Sequence, residues 1–341
     1  MSKFREEALM NGGVPEFHID PKRVTDIVVD FLQQRLTQQE REGILLGLSG
    51  GLDSAVLAAL AVRAVGPSRV HAFYLYDQDS RKRFREHAQS WAKTLGIDFE
   101  ARDITPLVKE KSIDQPFILR LTRLLPCLRR PFVYGSGRLY RLLFTGNPFD
   151  LVLQNGEPVK GRLAQAVYES IAGAIERSFN VRHVTRRQLL EEYASNRNLL
   201  LVSAANRSEY FVGWFVKEGI DDLPVAPLLG LYKTQVRQLA HFLDIPDEII
   251  AEAPSPDMFG GISDEAVIGF PYETIDKVLY LIEHNLEKEL AHFEDLIPSD
   301  FDGIKRLHEL SAWKRETPRL YPLFHCATKG GKPSSLNHGH R

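Results

Sequence analysis

The chain has 341 residues, 43 Lys+Arg against 45 Asp+Glu for a net charge of −2, and 43% hydrophobic against 26% charged residues. This is the composition of a globular protein long enough to bury a large core in one or two domains, which excludes wholesale disorder and fibrous classes. Balanced charge gives no overall drive toward nucleic acid or a membrane surface. Two cysteines, Cys127 and Cys326, make neither a disulfide framework nor a four-thiolate zinc site.

Along the chain, the first twenty residues carry acids and no continuous apolar run, unlike a secretory signal, and no segment approaches the ~20 apolar residues of a transmembrane helix. A cytoplasmic location is expected. Gly43 to Gly51 (GILLGLSGG) reads as a short apolar strand ending in small residues, and Asp53 to Gly66 as a helix closed by a C-cap glycine. Arg69 to Tyr76 has strand length and aromatic content. Ser80 to Gly96 is a charged amphipathic helix with Phe84, Ala88, Trp91, Ala92 and Leu95 on one face, and Asp98 to Ile104 reads as a third strand. The order βαβαβ predicts an α/β fold with a parallel sheet, joined by a fourth strand over Asn198 to Ala204. Residues 115–160 are basic, aromatic and broken by Pro and Gly. They read as a pair of short helices with a solvated Arg face, or as an inserted subdomain, lid or contact surface. From Thr328 the chain is polar and Gly/Ser-rich and reads as a disordered tail, 328–341, in which His338 and His340 do not make a metal site.

The chemistry begins at Gly47-Leu48-Ser49-Gly50-Gly51-Leu52-Asp53-Ser54, between a strand and a helix, where backbone N–H groups and the helix dipole favour an anion. Gly50 and Gly51 admit phosphate oxygens close to the backbone, and Ser49 and Ser54 add hydroxyls. A carboxylate at Asp53 would repel bound phosphates, and a divalent cation such as Mg²⁺ resolves the conflict. No Lys-Ser/Thr follows the glycines, so this is not a Walker A loop, and the G-x-G-x-x-G spacing of dehydrogenases is absent.

The S-G-G-x-D-S loop resembles the PP-loop of ATP pyrophosphatases, and downstream motifs narrow the likeness to ammonia-dependent NAD synthetases. Those motifs are Asn206-Arg207-Ser208-Glu209, Lys217-Glu218-Gly219, Pro227-Leu228-Leu229-Gly230-Leu231-Tyr232-Lys233, Pro254-Ser255-Pro256-Asp257-Met258, Asp264-Glu265 with Tyr272 and Asp276, and Lys314-Arg315 with Pro318. The resemblance covers roughly 20–112 and 180–318. It implies a doubly wound, Rossmann-like sheet of the adenine-nucleotide alpha hydrolase type, with residues 1–327 as one ligase domain carrying the 115–160 insertion. It further implies an AMP-forming amidating ligase: ATP adenylates a carboxylate, deamido-NAD or a related acid, releasing pyrophosphate, and ammonia then displaces AMP. Carried over residue by residue, Asp53 and Lys233 are catalytic. Gly47, Ser49, Gly50, Gly51, Asp53, Ser54, Lys233 and Ser255 bind ATP, and Asp53 and Glu209 hold Mg²⁺. Arg186, Lys217 and Lys314 are assigned to the acceptor. Val216 to Gly230 is the expected lid. The resemblance also implies a homodimer and, because the chain has no glutaminase domain, free ammonia or a separate glutaminase subunit as nitrogen source; no membrane or nucleic-acid partner is expected.

The acceptor side departs from the family pattern. Ile220 and Pro224 stand where the family loop has Asp, Val267 replaces a Glu, and Trp313 replaces a His; Asp221 and Asp222 lie one or two residues out of register. A different carboxylate acceptor, held by arginines of the insertion such as Arg120, Arg123, Arg129, Arg130, Arg138 and Arg141, is therefore one alternative. A non-catalytic ATP-binding homologue is another.

Overall fold

The computed structural model describes residues 17–111, 135, 148–153, 173–255, 263–293, 295–317 and 319–322. Of the 115–160 segment only Gly135 and 148–153 are among them; the six arginines named above, both cysteines and the tail are not.

Helix α1 (Pro21–Gln38) opens with Asp20, whose side chain accepts the Arg23 N–H as an N-cap. It leads into β1 (Gly43–Gly47), α2 (Leu52–Val65), a 3₁₀ turn, β2 (Val70–Tyr76), α3 (Lys82–Leu95), β3 (Asp98–Asp103) and α4 (Thr105–Glu110). After α5 (Pro148–Leu153) come α6 (Gly173–Asn196), β4 (Leu199–Val202), α7 (Arg207–Phe211), α8 (Lys233–Phe242) and α9 (Asp247–Ile250). The chain then forms α10 (Asp264–Ile268), α11 (Tyr272–Glu283) and α12 (Pro298–Leu310). The four strands read from the sequence all form, with β1 stopping at Gly47 because the following glycines leave the ladder to make the loop.

The sheet is parallel with order β3-β2-β1-β4. β1 is buried on both faces: Ile44 and Leu46 point into one core and Leu45 into the other, as a parallel strand between two helical layers requires. Helix α2 is the most enclosed, with Leu57 and Leu60 at zero exposure, each worth roughly 2 kcal/mol of burial. Trp91 of α3 donates its indole N–H to Ala55 O at 3.0 Å and locks α3 onto α2. Helices α11 and α12 build a second core around Tyr272, Ile275, Leu279 and Ile304.

The topology fixes where chemistry can occur. The chain runs β1 to β2 to β3 in one direction and then returns to place β4 on the far side of β1. The β1–β4 boundary is therefore a topological switch point, whose carboxyl-end crevice is where open α/β sheets bind ligands. The loop at 47–54 leaves β1 there, and the Asn206 turn follows β4. The expected lid narrows on inspection: Leu223, Val225, Ala226, Leu228 and Leu229 are buried, and Val225 O accepts the Ser203 N–H at 2.9 Å. Apolar residues anchor 223–230 in the core, and only 216–222 lies over the strand ends.

Candidate active site

Gly50 adopts φ +79°, and a Cβ there would fall 2.1 Å from Phe84 O, so only glycine lets the loop pass beneath the start of α3. Ser54 Oγ accepts the Ser49 N–H at 3.1 Å and bonds Gly51 O at 3.0 Å, while the Ser49 and Ser54 hydroxyls lie 3.0 Å apart. These bonds curl the loop ahead of α2, whose N-cap Gly51 makes no side-chain cap bond; the N–H groups of such a helix start are suited to an anion.

Across the crevice four elements converge on one cation. Lys233, the first residue of α8 and 3% exposed, places Nζ 2.5 Å from Asp53 Oδ2 and 2.9 Å from Glu209 Oε1. Its ammonium also lies 5.1 Å from the centre of the Tyr272 ring. Tyr272 Oη sits 3.3 Å from Glu209 Oε1 and 3.4 Å from Asp264 Oδ2. Burial would lower the Lys233 pKa, but the carboxylates of Asp53, Glu209 and Asp264 outweigh it and hold the group well above its ordinary value. Burial, reinforced by Asp53 and opposed by Lys233, pushes Glu209 up to about 8 and Asp264 up to about 7. Three acids crowd around one ammonium, more than it can balance if all were ionised, and Asp264 Oδ1 is buried without a hydrogen-bond partner among the described residues. Such a set of hard oxygen donors fits a divalent cation of the magnesium type.

Asn206 joins this set, in a role the motif reading did not give it. Fully buried, it caps α7 by accepting the Glu209 N–H at 3.0 Å and donates from Nδ2 to Asp53 Oδ1 at 3.0 Å. One side chain thus sets the distance between two carboxylates 156 positions apart in sequence. In the sequence it stood only as the first residue of the Asn206-Arg207-Ser208-Glu209 motif, although Asn is also a favoured N-cap residue. Ser255 Oγ is buried and has no hydrogen-bond partner among the described residues, although Arg81 and Arg83 tie the nearby Glu252 to the start of α3.

Of the three residues assigned to an acceptor, Lys217 and Lys314 flank the Trp313 ring at 5.2 and 6.0 Å, while Arg186 lies at the end of β2. Arg186 donates Nε–H to Leu75 O at 2.9 Å, beside Asp77 at the end of β2. Its neighbour Arg182, 1% exposed, binds Asp77, Asp79 and Ser178 at 2.7–2.8 Å and ties α6 to the loop after β2. Lys217 stands over the Trp313 ring at 5.2 Å and donates to Trp313 O at 3.2 Å. Lys314 is buried and donates to Gly213 O and Phe215 O at 2.9 and 2.7 Å; burial pulls its ammonium down to about 8. Asp222, one of the two acids out of register, is buried against Arg319, and the other, Asp221, pairs with His183 at 2.9 Å. Ile220 packs instead on Leu190 and the backbone of Gly47, where an added Cβ would meet its Cδ1 at 3.1 Å.

With that geometry in place, the chain can be set beside known proteins. The NAD synthase family model matches residues 24–125 and 162–318. The chain belongs to the NAD synthase family. It is 34% identical over 280 residues to the NH(3)-dependent NAD(+) synthetase of Coprothermobacter proteolyticus, covering 81% of this chain and 89% of that protein. It is 30% identical over 292 residues to the protein of the same name from Thermotoga maritima, covering 85% and 96%. Among solved structures, an NMN synthetase from Francisella tularensis superposes with a TM-score of 0.61 at 24% identity, covering 90% of this chain and all of the other. An NH3-dependent NAD synthetase from Campylobacter jejuni gives 0.58 at 22%, covering 89% and 99%. At these identities the two structures speak for the shared α/β fold. Among the described residues no helix is long and apolar enough to cross a membrane.

Proposed function

We propose that the chain is an ATP-dependent amidating ligase of the NH3-dependent NAD+ synthetase type. The observation that carries this reading is the convergence of Asp53, Glu209 and Lys233 at the switch-point crevice directly behind the glycine loop. In this reading the loop N–H groups, Ser49 and Ser54 hold the pyrophosphate end of ATP, and Gly47, Gly50 and Gly51 let it approach. The orphaned Ser255 hydroxyl supplies a further contact. Asp53 and Glu209 hold Mg²⁺, which when bound neutralises phosphate charge.

The acceptor carboxylate oxygen attacks the α-phosphorus, the bond to pyrophosphate breaks, and an acyl-adenylate forms. Negative charge grows on the α-phosphate oxygens as it does so, and the fixed Lys233 ammonium stabilises it in a water-poor site. Ammonia then attacks the acyl carbon, AMP departs with the former carboxylate oxygen, and the nitrogen sheds a proton to give the amide. Adenylation is needed because oxide is too poor a leaving group. Holding both partners in one site supplies the proximity term.

Arg186 and Lys217 remain the proposed acceptor contacts, and Lys314 acts by fixing the 213–215 backbone beneath Lys217. A homodimer and a separate source of ammonia belong to the same reading. Purified protein given ATP, Mg²⁺, ammonium and deamido-NAD tests it: amide, AMP and pyrophosphate should appear in equal amounts. A second reading, a different carboxylate acceptor, is favoured by Ile220 and Trp313, which put apolar surface at two altered positions. Saturable turnover at micromolar deamido-NAD refutes that second reading.

A further inference from the structure

Lys233 and Glu209 lie in the first turns of two short helices, α8 and α7, whose relative placement sets the pocket. The residues beside them are gripped by one group on a third helix. Asp276, on α11, has no solvent exposure. Its Oδ1 accepts a short hydrogen bond from the hydroxyl of Ser208, the residue before Glu209. Its Oδ2 accepts the N–H of Thr234, the residue after Lys233, at 3.0 Å, and the Thr234 hydroxyl at 2.8 Å. The chain of bonds closes on Lys233 itself, whose own N–H donates to Ser208 Oγ at 2.8 Å.

The relay has a fixed direction. The Lys233 N–H donates to Ser208 Oγ, so the Ser208 proton must point to Asp276, which as an ionised carboxylate only accepts. Burial raises the Asp276 carboxyl to about 6, against the bonds from Ser208 and Thr234 that favour the charged form, and it is ionised at neutral pH. The negative end of the relay also lies at the positive N-terminus of α8. Asp276 touches neither Asp53 nor Glu209 in any of these bonds, so it acts only through the two helix starts.

We propose that Asp276 and Ser208 are positioning residues for the ligase reaction, holding the Glu209 carboxylate and the Lys233 ammonium at their working separation. The inference rests on the ligase reading for its catalytic consequence. An amide at 276 turns one acceptor into a donor facing Ser208 and leaves a hydroxyl proton stranded. Removing the Ser208 hydroxyl strands both the Lys233 N–H and one Asp276 oxygen.

The test compares wild type with Asp276→Asn, Ser208→Ala and the double variant, each checked by circular dichroism at the assay temperature. Loss of one charge-assisted buried bond should lower kcat about tenfold to a hundredfold. Binding of ATP without metal, measured by calorimetry, should stay within about threefold, because the loop N–H groups are untouched. Binding of Mn²⁺·ATP, read by electron paramagnetic resonance, should weaken in both single variants, and the double variant should be no worse than the poorer single one. Wild-type kcat and wild-type Mn²⁺ binding in folded Ser208→Ala overturn the inference, as do multiplicative losses in the double variant. Should Asp276→Asn fail to fold, Ser208→Ala decides alone, since it removes one oxygen and adds nothing. Should the wild type turn over no deamido-NAD, the ligase reading fails, while the Mn²⁺·ATP measurement still judges the relay.

Discussion

Replacing Lys233 by Met gives the sharpest test of how the site works. Methionine nearly matches the lysine stem and fills the same enclosed channel, so the change removes the charge and little else. The ammonium makes two short bonds, 2.5 Å to Asp53 and 2.9 Å to Glu209, in surroundings that exclude water. A fixed cation or donor at developing transition-state charge is worth roughly 3–4 kcal/mol, or a 10²–10³-fold loss of kcat. Breaking a buried ion pair also costs stability, about 3–5 kcal/mol when the partner stays charged. Here the cost is smaller, because burial raises Glu209 to about 8 and leaves it largely neutral near pH 7. Lys233→Met should therefore remain folded at 20 °C with a lowered Tm, and pyrophosphate release under saturating ATP, ammonium and deamido-NAD should fall by at least a hundredfold. Lys233→Arg, which keeps the charge in a side chain too large for the channel, should lie between the two. A Lys233→Met enzyme within about threefold of wild-type kcat would refute the claim that this cation stabilises adenylate formation.

Three further outcomes follow from particular contacts. Ser255→Ala removes a buried hydroxyl without a partner, so the free protein should keep or slightly raise its Tm while ATP binding weakens about three- to tenfold; an unchanged Kd for ATP removes Ser255 from the site. Gly50→Ala puts a Cβ against Phe84 O at a left-handed φ, which should destabilise by a few kcal/mol and abolish the rise in Tm on adding ATP and Mg²⁺; an intact rise shows that the loop can relax. Lys314 is displaced from 10.5 to about 8 by burial, so between those values the unfolded chain binds more protons and stability from this group increases with pH. The full effect is about 3 kcal/mol at most. Urea unfolding at pH 7.5 and 9.5 should show the gain in wild type and a smaller one in Lys314→Met, and equal slopes would show that the folded-state ammonium is not perturbed.

Much of this was legible in the sequence because it was local. The βαβαβ order, the strand at 43–47, the amphipathic face of Phe84, Ala88, Trp91 and Ala92, and the glycine loop all declare themselves within windows of ten to twenty residues. Asp53, Glu209 and Lys233 were named from motifs, and the structure brings all three to one point. What stayed hidden depends on long-range contact. Asn206, Ser208 and Asp276 stood in motifs with no role attached; their roles exist only once α7, α8 and α11 are packed together. The 216–230 segment read as a lid because the resembled chemistry calls for a loop that keeps water from an acyl-adenylate. Its second half instead carries Leu223, Val225, Leu228 and Leu229 into the core, where burial outweighs the loop-like composition. Lys314 matched a motif, yet two backbone carbonyls engage its ammonium, which no spacing rule reveals.

The switch-point position of the crevice also makes turnover a report on complete folding. Asp53 comes from the first crossover, Glu209 from the turn after β4, Lys233 from a later helix, and the carboxylate proposed to hold the last two in place from α11. A nascent chain that has made only the βαβαβ half carries the glycine loop and one acid, with neither the ammonium nor the second carboxylate in place. On the proposed reading a partial fold would carry the glycine loop without the residues needed for turnover, and the first turnover would mark the moment the last of these four segments has docked.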